Sequence, residues 1–122
     1  MANSQLITRA EKVVARVQRK LPAEIRGLAH ELPVIYQDWP DDDILEGEFD
    51  PDILGLFVGE HHGIEAGIGN SVPPQIFLFL ENIYDEADGD SSRFDEEVRL
   101  TYLHELGHYL GWDEDEVESR GL

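Results

Sequence analysis

Leu103-His104-Glu105-Leu106-Gly107-His108-Tyr109-Leu110-Gly111 is the stretch around which the chain organises itself, and it reads H-E-x-x-H-x-x-G. On an α-helix of about 3.6 residues per turn, His104 and His108 differ by only about 40° around the axis and stack one turn apart. Two imidazoles so placed reach one Zn²⁺ at about 2.0–2.1 Å, the nitrogen distance zinc prefers. Glu105 points to the flank of that face, where it can hold and deprotonate a water at the metal rather than bind the ion. The plain alternative is an amphipathic helix carrying two surface histidines. Gly111, where the chain must turn, favours the metal reading.

Zinc needs a third protein ligand if a fourth position is to stay open for water. Only fourteen residues follow His108, so the ligand is expected close by, among Asp113, Glu114, Asp115, Glu116 and Glu118. Glu114 stands six residues after His108, where H-x-x-x-H-x-x-G-x-x-H sites carry their third histidine. Gly111 would let the helix end and the backbone swing that residue towards the metal. Asp115 and Asp113 remain alternatives, and most of these carboxylates must simply be solvated.

Composition frames the site. The 122 residues make one domain with a modest core, and no internal repeat is visible. There is no cysteine, so no disulfide and no thiolate ligand; every metal ligand must be His, Asp or Glu. No apolar run approaches membrane-spanning length, and residues 1–20 lack the hydrophobic stretch of a secretory signal, so a soluble cytoplasmic protein is expected. The net charge of −18 is uneven: six of the nine Lys and Arg fall in residues 1–30, against Glu11 and Glu24. Such an acidic body repels phosphates, which argues against nucleic acid as a partner. Arg9, Lys12, Arg16 and Arg19 recur at helical spacing and form a stripe expected to face solvent or the acidic body.

Leu6 to Leu21 has a helical period of apolar residues, and Pro22 opens a second helix, Ala23 to about His30. Leu32–Tyr36, Leu54–Gly59 and Gln75–Leu80 read as strands, with a turn and a short helical or irregular piece after Asp38 and a Gly-rich loop over Glu60–Val72. The last helix, about Arg93 to Leu110, is expected to be capped by Ser92 with Asp95 in its first turn. Its second half is apolar nearly all round, which predicts burial, with a metal face opening to a cleft. Glu97 and Thr101 share that face one to two turns before the histidines. His61 and His62 read as polar surface in the Gly-rich loop; if the loop folds over the cleft, one of them can stabilise an oxyanion. Tyr102 and Tyr109 read as core residues with satisfied hydroxyls.

The chain resembles the short single-domain zincin-like metallopeptidases of bacteria, a minimal metalloprotease fold. The likeness runs through Leu21–Tyr36 (LPAEIRGLAHELPVIY), Ile53–Glu60 (ILGLFVGE), Pro73–Ile83 (PPQIFLFLENI) and Glu96–Glu116 (EEVRLTYLHELGHYLGWDEDE). It implies an α+β fold, a small three-stranded sheet packed with helices, with H-E-x-x-H on the long C-terminal helix of one domain spanning 1–122. It implies H-E-x-x-H-x-x-G-x-x-D as the zinc pattern: His104 and His108 as ligands, Glu105 as base, and position 114 as acidic third ligand, here Glu in place of Asp. It also implies that Leu54–Gly59 is the edge strand to which substrate adds, with Gln75–Leu80 beside it. The only methionine is Met1, so a methionine turn beneath the metal is not expected.

The expected function is therefore zinc-dependent hydrolysis of peptide or protein substrates, with Glu105 as general base and proton carrier. Two other readings compete: a catalytically idle metal-binding or interaction module, and a metallo-ribonuclease, against which Glu105 and the charge both count. Oligomeric state is not legible.

Overall fold

Asn3 starts the first helix, α1 (Ser4–Lys20), its side-chain oxygen accepting the N–H groups of Gln5 and Leu6 at 3.0 and 3.4 Å. Ala10, Val13, Val14 and Val17 form its buried stripe. Leu21 leaves the helix in an extended conformation, and Pro22, which fixes its own φ and lacks an N–H, caps α2 (Ala23–Glu31). The computed structural model describes residues 3–45, 49–59, 73–112 and 114–119. Beyond α2 these contain β1 (Val34–Gln37), α3 (Asp42–Leu45), β2 (Gly55–Val58), β3 (Gln75–Phe79), α4 (Leu80–Glu86), α5 (Ser91–Tyr109) and α6 (Glu114–Ser119).

The architecture is α+β, with helices against a three-stranded mixed sheet ordered β1-β3-β2. β3 lies in the middle, parallel to β1 and antiparallel to β2, so among the described residues β2 is an edge, as the resemblance implies. Ile76 and Leu78 of β3 are fully buried on the face that meets the helices, in one cluster with the α1 stripe and with Phe94, Val98, Tyr102 and Leu106 of α5. On the opposite face Phe77 and Phe79 stack, ring centroids 6.2 Å apart. Arg9 forks onto Asp95, Nε to Oδ1 at 2.7 Å and Nη2 to Oδ2 at 2.9 Å, tying α1 to the first turns of α5. The rest of the basic stripe is exposed, with Arg16 and Lys20 bordering a groove against α5. Among the described residues no helix is long and apolar enough to cross a membrane.

Four local expectations shift. Strand β1 begins at Val34 rather than Leu32, because Pro33 has no N–H to give and only its carbonyl joins the ladder, accepting from Ile76 at 2.9 Å. The third strand ends at Phe79, and Leu80 begins α4, whose buried Leu80 and Ile83, with Ala87 at the C-cap, carry a helical period visible in the sequence. Asp90, not Ser92, caps α5: its Oδ1 accepts the Arg93 N–H at 2.9 Å, and Asp95 is occupied by Arg9. Leu100 is 46% exposed, so the second half of α5 is not apolar-buried all round.

Candidate metal centre

The second half of α5 carries His104, Glu105 and His108, whose ligand atoms all lie within 4.8 Å of one another. The imidazoles of His104 and His108 sit with ring centroids 4.4 Å apart and planes tilted by 64°, as their i, i+4 placement dictates. Nδ1 of His108 is 3.1 Å from Oε1 of Glu105. A hydrogen bond at Nδ1 orients the ring and would leave Nε2 to a metal, the support that metal-binding histidines usually have. Glu105 is 7% exposed while the His108 side chain is 45% exposed, so the carboxylate lies beneath and the imidazole opens outward. Two imidazoles with an adjacent carboxylate form a donor set suited to Zn²⁺, and the cluster is tight enough for one ion.

Strand β2 forms the wall beside this group. The Leu54 carbonyl accepts from the Phe79 N–H at 2.9 Å, so in the alternating antiparallel pattern Leu54, Leu56 and Val58 bond to β3. Gly55 and Phe57 then turn their backbone groups away from the sheet, and the Phe57 N–H is taken by the Glu105 carboxylate. Burial raises the Glu105 carboxyl above the ordinary glutamate range, with the charge of His104 and the Phe57 N–H pulling it back. Gly55 makes this approach possible: a Cβ there would stand 2.6 Å from Cγ2 of Thr101 and 3.1 Å from the Phe77 carbonyl oxygen. A glycine inside a strand pattern commonly marks such close approach, a signal that was available in the sequence.

Gly111 behaves as its position suggests. It has φ +77°, the N–H of Trp112 returns to the Gly107 carbonyl (2.9 Å) and that of Gly111 to His108 (3.0 Å), a Schellman ending. Glu114 then opens α6, on which Asp115 and Glu116 are exposed. Asp113, like His61 and His62, lies outside the described residues, as do the side chains of Glu114 and Glu118. Thr101 is buried beside Gly55, and Glu97 is half-buried a turn earlier. Tyr102 packs into the core, its hydroxyl accepting from Gln18 Nε2 at 3.1 Å, and Tyr109 lies behind the site against Phe57, ring centroids 5.7 Å apart.

Comparison with curated proteins returns no match. Comparison with protein families finds the zincin-like metallopeptidases, matched over residues 29–122, a span that holds the whole sheet, α5 and the His-Glu-His group. The chain belongs to the zincin-like metallopeptidase family.

Proposed function

We propose that the protein is a zinc-dependent peptidase acting as one domain over residues 1–122, with His104 and His108 holding the ion and Glu114 completing the set. The observation that carries this reading is the placement of a buried Glu105 carboxylate between His108 Nδ1 and an outward-facing N–H of the edge strand. A zinc ion held there supplies Lewis acidity, lowering the pKa of water and polarising a carbonyl.

The chain's own residues do the rest. A peptide pairs antiparallel with β2 through the outward carbonyls of Gly55 and Phe57 and the Gly55 N–H, the Phe57 N–H being held by Glu105, so that its scissile carbonyl lies over Glu105. Glu105 takes a proton from the attacking water and delivers it to the leaving amine nitrogen. Its proton affinity, raised first by burial, suits a group that must both accept and return a proton. His108 steadies the carboxylate through Nδ1.

The test is elemental analysis of the purified protein together with incubation against a degenerate peptide library. One zinc per chain and cleavage lost in Glu105→Gln are expected. A chain that purifies with one zinc but cleaves nothing would leave a metal-binding module in place of an enzyme.

A further inference from the structure

The cations of this chain are gathered on one helix. Residues 1–28 carry six Lys and Arg against Glu11 and Glu24, whereas residues 29–122 carry three against twenty-five carboxylates. On α1, which lies outside the span matched to the family, Arg9, Lys12, Arg16, Arg19 and Lys20 fall within about 100° of one another around the axis and form one stripe. Glu11 is on another side of the helix, within Coulombic reach of Tyr36 on β1. Arg9 is occupied by Asp95. Lys12, Arg16, Arg19 and Lys20 are exposed, and none of the four pairs with a carboxylate among the described residues.

The stripe borders a groove. α1 runs beside the first half of α5, tied to it at Arg9–Asp95 and at Gln18–Tyr102. Between the two helices lies a cavity of about 130 Å³, with the nearly buried Val13 and Val17 at its floor, Arg16 and Lys20 on one bank and Arg99 on the other. The carboxylates on the far bank are already neutralised: Asp95 holds the Arg9 fork, and Glu96 takes the Arg99 Nε–H at 3.0 Å. An apolar floor under uncompensated positive charge remains, on a chain that is otherwise strongly acidic. Lys12, Arg16 and Lys20 rise about 6 Å per step along α1. Same-side residues of an extended peptide recur at about 6.6 Å, so a strand laid along the groove brings every second side chain opposite a successive cation. From Arg9 to Lys20 the stripe is about 16 Å long, the span of about five extended residues.

We infer that the groove between α1 and the first half of α5 is a docking surface for a short extended acidic segment of another protein, with Asp or Glu at alternate positions and an aliphatic side chain seated over Val13 and Val17. The cations are strung along the helix instead of converging, which suits spaced carboxylates better than a single small anion. A nucleic acid longer than the stripe runs onto the acidic body, which opposes it. A second copy of the chain brings its own charge of −18 and is repelled as a whole. The same surrounding carboxylates reject the segment everywhere but on the stripe and so fix where it lies. Arg99 is about 140° around α5 from His104, so the groove and the metal centre occupy different sides of the helix. Docking therefore does not depend on the peptidase reading.

The test is an NMR titration of the full chain with the peptide Glu-Val-Glu-Val-Glu-Val, against Gln-Val-Gln-Val-Gln-Val. The acidic peptide alone should shift the amides of Val13, Arg16, Val17 and Lys20 and leave those of His104, Glu105 and His108 in place, and added salt should weaken it. Lys12→Gln/Arg16→Gln/Lys20→Gln changes only exposed positions and should weaken binding on the order of tenfold, a few-fold for each lost pair. Arg93→Gln, which removes a charge from another side of α5, should change it less than about twofold. Shifts centred on His104 and His108, affinity indifferent to salt, or no saturable binding would overturn the assignment. Tighter binding of a six-nucleotide thymidylate strand through the same amides would make the stripe a nucleic-acid site instead. Self-association in sedimentation that the triple variant abolishes would seat a second copy there, and either result ends the acidic-segment reading.

Discussion

Nδ1 of His108 and Oε1 of Glu105 stand 3.1 Å apart on one helix, the exposed imidazole resting on a carboxylate that is nearly buried. The contact joins the two jobs proposed for the motif, holding an ion and moving a proton, in a single hydrogen bond. Removing the imidazoles should therefore remove the metal. The His104→Ala/His108→Ala double variant is expected to purify without stoichiometric zinc, its affinity falling by far more than the roughly 10–100-fold that losing a supporting contact costs. Retention of tight zinc by that variant, measured by elemental analysis, would end the assignment.

Glu105→Gln should separate metal from chemistry. The amide can still reach His108 and keeps the volume of the carboxylate, but it cannot carry a proton. Peptide hydrolysis should fall by on the order of 10²–10⁴-fold, the usual contribution of a positioned acid–base group, with zinc content unchanged. Parallel loss of metal and activity would make Glu105 a ligand.

Glu114→Gln should weaken zinc affinity by about 10-fold or more, while Asp113→Asn and Asp115→Asn stay near the unaltered protein. The Schellman ending at Gly111 and the start of α6 at Glu114 motivate the choice. Competition with a chromophoric chelator reads it, and loss of affinity in Asp115→Asn alone would move the ligand by one residue.

Gly55→Ala introduces a Cβ 2.6 Å from Thr101 Cγ2. Overpacking of this kind costs about 1–3 kcal/mol, and here it also pushes β2 away from Glu105. Thr101→Ser removes the opposing methyl, so the Gly55→Ala/Thr101→Ser pair should recover part of both stability and activity. Strict additivity in a denaturation cycle would show that the two residues are not coupled.

Alkaline stability follows from Tyr36 and Tyr102. Burial lifts both phenols above the ordinary tyrosine range, with Glu11 adding to the rise at Tyr36 and the Gln18 amide opposing it at Tyr102. The unfolded chain thus loses these protons first. Their contribution is complete below about pH 10 and declines as pH rises above it, by at most about 1.4 kcal/mol per pH unit for each tyrosine. Tyr36→Phe should flatten that decline in denaturant titrations from pH 9 to 11; an unchanged slope would remove Tyr36 from the account.

The sequence by itself determined the features that a single helix can encode. The stacking of His104 on His108, the placement of Glu105 at their flank, the apolar stripe of α1 and the turn at Gly111 all follow from one period of about 3.6 residues, and each is found where the chain predicts it. Where a neighbour competes, local reading loses its hold: Asp90 takes the cap assigned to Ser92, and Leu80 bends a strand pattern into a helix. Tertiary structure alone decided that the Phe57 N–H meets the Glu105 carboxylate, that Gly55 lets β2 close on Thr101, and that Leu100 is left on the rim of an apolar cavity. Glu105 and Phe57 are far apart in the chain, and pairing β2 with β3 rather than β1 is what brings them together. The physical reason is that strand pairing joins segments distant in sequence through backbone groups identical at every residue, so its register is written only in how side chains from elsewhere pack.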